Sequence, residues 1–242
     1  MFRNEREFAD HAVRALQAEG FAIQREVPVR GRRRVDIVAS KEGLRKGIEV
    51  KFTSRGLRDD VMKAHAILRL PEVDEMYVCG PQVFMSEDVR ALAAKLGVGL
   101  LAMSDAGELR WLTDSRRLQP PRLIVGGGYG SRYPWFVRAG GVAAWNATVF
   151  NHGQKAAVNV EVFMVTGGPF AARPRSKARA KRPLLEGGDK WLVTLACRVK
   201  RGTAPGKYPL LISVTADNAA RDDDTVPYEV RLTEPRKRRR ED

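Results

Sequence analysis

The pair Pro120-Pro121, within the stretch "LQPPRL", divides the chain into two textures, and that division limits the folds open to it. Proline lacks the ladder donor and clashes inside a helix, so neither a helix nor a central strand runs through this point. Before it, segments of helical spacing alternate with short apolar runs. Residues 4 to 19, "NEREFADHAVRALQAE", set Phe8, Ala12, Ala15 and Leu16 on one stripe, with Asn4 as N-cap and Gly20 as the stop. "FAIQREVPVR", "RRVDIVAS" and "GIEVKFT" then read as three strands joined by charged turns at Gly31 and "KEGLRK", an antiparallel meander. Helical spacing returns over "RDDVMKAHAILRL", "EMYVCG" reads as a buried strand, "SEDVRALAAKLG" as a helix between Ser86 and Gly97, and "VGLLAMS" as another strand. The predicted order is α-β-β-β-α-β-α-β.

Beyond the prolines the helical period disappears. "VAAWNATVFNHG", "AAVNVEVFMVTGG", "KWLVTLACRVKRG", "YPLLISVTADN" and "VPYEVRLTEP" are strand-length segments bounded by Gly, Asn and Pro, the spacing of an immunoglobulin-like β-sandwich. The expectation is an α/β domain over residues 1–118, an all-β sandwich over 119–235 and a basic tail over 236–242. Within the sandwich, "AARPRSKARAKRP" carries six basic residues and no acid and reads as a mobile basic loop, while Trp145, Phe150, Phe163 and Trp191 read as core.

No apolar run approaches the roughly 18 to 20 residues that span a bilayer, and "MFRNEREFADHAVRAL" lacks a secretory segment, so the expectation is a cytoplasmic protein without a membrane partner. Cys79 and Cys197 fall in different predicted domains, which argues against a disulfide framework and a cysteine zinc site. Forty-three Lys and Arg against 29 Asp and Glu give a net charge of +14, which makes a polyanion such as nucleic acid a plausible partner, although basic surfaces also occur on membrane-associated proteins and on proteins with no such partner. The sequence holds no Ser-His-Asp order, glycine-rich phosphate loop or metal-spaced histidine cluster.

Three charges break the apolar strand runs. Asp36 sits in "VDIVA", and Glu49 and Lys51 sit in "IEVKF", although charged groups are rarely buried unless paired or bound to a metal. Two carboxylates on consecutive strands make a hard oxygen site suited to Mg2+ or Mn2+, and a lysine on the same face as Glu49 can orient water and offset phosphate charge. The residue types are those that metal-assisted phosphodiester hydrolysis requires.

"VDIVA" followed by "IEVKF" resembles the signature of the PD-(D/E)XK nuclease superfamily, with Asp36 as the isolated acid and Glu49-Val50-Lys51 as the (D/E)-x-K element. The opening helix with "GFAIQREV" is similar to archaeal Holliday junction resolvases and Mrr-type endonucleases, and "MSEDVRALAAKLGVGLLAMSDAGEL" resembles the close of the same restriction-endonuclease-like fold, so the resemblance covers roughly residues 3 to 112. Val35 stands where many members carry proline, a departure the superfamily tolerates. The resemblance implies a Mg2+- or Mn2+-dependent DNA endonuclease acting as a homodimer. Catalysis then falls to Asp36, Glu49 and Lys51, and metal binding to Asp36 and Glu49, with Glu5 added from the first helix.

Glu5 shares the stripe of Phe8 and Leu16, and it is either that extra ligand or a solvated helix-start acid. Arg30, Arg32, Arg33 and Arg34 crowd the turn before Asp36 and are either phosphate clamps or a solvated turn. Arg55 and Lys63 follow the signature as further nucleic-acid contacts, and His65 reads as a surface residue of its helix. The second domain resembles Ig-like modules appended to prokaryotic proteins, which implies a fold, a possible protein partner and no activity. The alternative from another class is a non-catalytic nucleic-acid-binding or scaffold protein retaining the nuclease fold; an RNA-directed enzyme is a further rival.

Overall fold

The computed structural model describes residues 2–30, 33–129, 136–171 and 177–231. The chain forms two compact units, Met1–Gln119 and Pro120–Asp242.

In the first unit, helix α1 (Glu5–Ala18) is fixed at its start by Asn4, whose side chain accepts from Glu7 N at 2.9 Å, and Gly20 leaves it at φ +86°. Strands β1 (Ala22–Val29), β2 (Arg33–Lys41) and β3 (Leu44–Val50) form the expected antiparallel meander. Helix α2 (Leu57–Leu68) and helix α3 (Glu87–Leu96) are the crossovers that make β4 (Glu75–Pro81) and β5 (Gly99–Met103) parallel to β3. A strand absent from the sequence expectation, β6 (Leu109–Thr113), turns back antiparallel to β5 and completes a six-stranded sheet in sequence order.

Alternation then decides the packing. Ile37, Ile48, Tyr77, Cys79, Leu101 and Met103 join Phe8, Ala12 and Leu16 of α1 in one buried cluster. Their strand neighbours Val78, Leu100 and Ala102 point the other way and are equally buried, and on that side α2 packs against β4 and α3 against β5. The sheet is therefore covered on both faces, which explains the near-continuous apolar runs.

The second unit holds only strands among the described residues. β12 (Arg179–Leu185), β10 (Ala157–Met164), β14 (Gly206–Ala216), β15 (Ala219–Arg231) and β8 (Phe136–Arg138) form one sheet in that order. β11 (Phe170–Ala171), β13 (Lys190–Val199), β9 (Val142–Asn151) and β7 (Leu123–Tyr129) form the other. Val149 and Leu195 of one sheet and Val160, Ile212 and Tyr228 of the other share a single core, and the Tyr228 hydroxyl donates across it to the Ala144 carbonyl.

The basic segment is a correction. Arg179–Leu185 is an edge strand, paired antiparallel with β10, and Arg179 and Lys181 reach Glu161 of that strand at 3.0 and 3.8 Å. A facing carboxylate and an edge position that tolerates Pro183 give these cations a place in a ladder. Arg173 and Arg175, like the tail from 232 onward, lie outside the described residues. Phe163 is also not core, since the guanidinium groups of Arg179 and Arg221 lie over its ring at 5.3 and 5.9 Å. Both cysteines are free and buried, and burial pushes their thiols up to about 12, so they are inert filling. Among the described residues, no helix is long and apolar enough to cross a membrane.

Candidate active site

The pairing of β2 with β3 ends at Ile37 and Ile48. The next rung would have joined Asp36 to Glu49. Instead the backbone N–H of Val50 donates to Asp36 Oδ2 at 2.8 Å, so a side chain takes the place of a ladder carbonyl. β3 stays fixed from its other edge: Glu49 and Val50 pair with Val78 and Cys79 of β4, and Lys51 N donates to the Cys79 carbonyl at 2.8 Å. A rigid parallel core thus holds Glu49 and Lys51, while the splayed meander brings in Asp36.

The two carboxyl groups feel each other's charge. Glu49 is pushed up to about 8, first by burial, then by the Asp36 charge, with a hydrogen bond to the Asp36 side chain adding to the effect and Lys51 opposing it. Glu49 Oε1 is buried and, among the described residues, has no hydrogen-bond partner. A half-buried carboxyl beside a second one, with one oxygen short of a partner, is a site that the Lys51 charge alone does not balance.

Two clefts flank the pair. Asp36 lines one of about 460 Å3 with Glu5, Arg6 and Arg25, on the α1 side. Glu49 lines the other, of about 540 Å3, against α2, with Arg33, Arg34 and Lys63 at its edge and Met62, Ala66 and Ile67 along its wall.

Asp60 is the residue that sequence reasoning missed. It is 5% exposed on the packed stripe of α2, between Leu57 and Ala64, and its Oδ1 lies 3.9 Å from Lys51 Nζ and 3.3 Å from Lys63 Nζ. Its signal was available, because an acid on an otherwise apolar helical stripe is a buried charge in need of a partner.

The remaining candidates separate. Arg33, Arg34 and Lys63 reach the Glu49 cleft, and Arg34 also pairs with Glu26 at 3.7 Å. Arg30 turns to Glu72 at 3.4 Å, Arg55 is exposed on the loop before α2, and Arg32 lies outside the described residues. His65 is fastened to the Leu96 carbonyl at 2.8 Å and joins α2 to α3. Glu5 shares the Asp36 cleft but is exposed, and among the described residues no group of three or more His, Cys, Asp or Glu could hold a metal ion. A divalent cation would rest on Asp36 and Glu49 alone, with water and phosphate oxygens completing its shell. The orphaned Glu49 oxygen and the hard oxygen donors fit such an ion.

No family model matches the chain, and no curated protein matches it. Solved structures similar to it include the "SPO1766 protein of unknown function from Silicibacter pomeroyi", at 25% identity over 48% of this chain and 74% of that one, with a TM-score of 0.37. AF1548, a "Protein of Unknown Function", is 24% identical over 40% of this chain, which spans 56% of that protein's length, with a TM-score of 0.32. The E. coli alpha-2-macroglobulin is 16% identical over 46% of this chain and 7% of its own, with a TM-score of 0.35. Likeness of this size carries neither fold nor activity from those proteins to this one.

Proposed function

We propose that the first unit is a PD-(D/E)XK-type nuclease that hydrolyses DNA phosphodiester bonds with Mg2+ or Mn2+, working in the cytoplasm as a homodimer with an immunoglobulin-like second unit that aids binding or assembly. The observation that carries this reading is the Asp36 and Glu49 pair, two carboxyl groups close enough for the Asp36 charge to raise Glu49, with one buried Glu49 oxygen unsatisfied. Evolution tolerates such a pair where a cation offsets its cost.

Each residue has a task in this reading. Val50 N–H fixes the Asp36 carboxylate, and strand β4 fixes Glu49, so the two acids that would hold the ion are preset. When bound, the ion neutralises charge at the scissile phosphate and lowers the pKa of a coordinated water. Lys51 presents its ammonium beside Glu49, where it orients water and faces the phosphate, and Asp60 keeps it there. Arg33, Arg34 and Lys63 neutralise the flanking phosphates.

The test is cleavage of DNA with and without Mg2+ or Mn2+. Asp36→Ala, Glu49→Ala and Lys51→Ala should each cost roughly a hundredfold or more in rate while circular dichroism stays unchanged. Cutting that survives EDTA, or full activity in Asp36→Ala, would overturn the mechanism.

A further inference from the structure

The cleft against α2 is chemically two-sided. Arg33, Arg34 and Lys63 offer three cations, which suits a phosphate backbone. The wall behind them does not. Met62 is 52% exposed, and Ala66, one turn further along the helix, continues its apolar surface, with the buried Ile67 at the back of the cleft. Phosphate oxygens gain nothing from an exposed thioether and aliphatic carbons, the sugar edge offers them only a small apolar surface, and a paired base keeps its faces inside the stack. An unpaired base has free apolar faces to lay against such a wall. The cleft also has the room, since about 540 Å3 falls within the range of ordinary ligand pockets, and Glu49 lies on its lining.

We propose that this cleft takes an unpaired nucleobase beside the phosphate to be cut, so that the preferred substrate is a single-stranded or splayed strand and not a closed duplex. The inference rests on the nuclease reading for the identity of the ligand, and it concerns recognition rather than chemistry. The cations hold the strand by its backbone, and the Met62 wall selects strands whose bases are out of the stack.

Binding in EDTA tests it without any cleavage. Fluorescence anisotropy compares a short single-stranded DNA with an oligomer of the same length and charge made of abasic sugar-phosphates, at fixed salt. The wild type should bind the base-bearing strand more tightly. Met62→Gln, a neutral change of similar length at an exposed site, should reduce that preference about fivefold, weakening the base-bearing strand much more than the abasic one. Met62→Phe should increase the preference, because an aromatic face stacks better. Equal affinity of the wild type for the two oligomers, or equal weakening of both by Met62→Gln, would overturn the proposal. A strong base preference without metal-dependent cutting would leave the pocket standing and remove the nuclease reading, so the two failures are distinct.

Discussion

Glu49 carries a protonation cost that reaches beyond chemistry. Its carboxyl titrates at about 8 in the folded chain against an ordinary 4.5, so between those values the folded state keeps a proton that the unfolded state has released. Stability without metal should therefore fall as pH rises from about 4.5 through about 8, and a divalent cation, which favours the ionised pair, should restore it. Thermal melts in EDTA should show a loss on the order of 10 °C or more for the first unit across this window, absent in Glu49→Gln and reversed by Mg2+. A flat profile would mean the pair is solvated. The pair itself was legible, because acids interrupting strand-like runs stand out in any sequence. Asp60 was not weighed, and the Glu72 partner of Arg30 was invisible, since that pairing exists only once β1 and the turn after α2 are brought together.

At the scale of elements, local periodicity located the helices because Asn4, Ser86, Gly20 and Gly97 punctuate them. It failed where charge or shortness hid the alternation. β12 reads as loop until Glu161 is set opposite its cations, and β6 is five residues of partly exposed edge. Asn151 shows how much a turn residue can hold. It reads as ordinary turn chemistry in "NHG", yet it is fully buried: its amide donates to the Lys155 and Leu185 carbonyls at 2.8 and 3.1 Å, and its oxygen accepts from Arg122 N and Gly153 N at 3.2 and 3.0 Å. One side chain thus ties the start of β7, the end of β9 and the end of β12. Asn151→Ala orphans four backbone groups and should cost about 3 kcal/mol or more, read as a fall in denaturation midpoint of the second unit with the slope unchanged.

For the whole molecule, the charge is unevenly placed. Lys and Arg outnumber Asp and Glu by 21 to 18 in residues 1–119 and by 22 to 11 in residues 120–242. The candidate chemistry lies in the nearly balanced unit and most of the attraction for polyanions in the other. The division at Pro120 was legible from texture, and the total charge from composition, but which cations remain unpaired depends on strand register. Replacing Arg236, Lys237, Arg238, Arg239 and Arg240 by Gln should weaken binding to all DNA sequences alike and reduce the slope of log affinity against log salt by about 0.9 for each phosphate that the tail no longer neutralises. Anisotropy titrations across a salt series read this directly, and an unchanged slope would assign the affinity to other surfaces.

The rung that Asp36 supplies to Val50 has one more outcome. A buried peptide N–H that ends on a carboxylate is polarised by whatever charge sits beyond that carboxylate, so under the proposed reading its nuclear resonance and its exchange with deuterium would gauge the arrival of a divalent ion. Loading of the centre could then be followed at a single amide, with no substrate added and no bond broken.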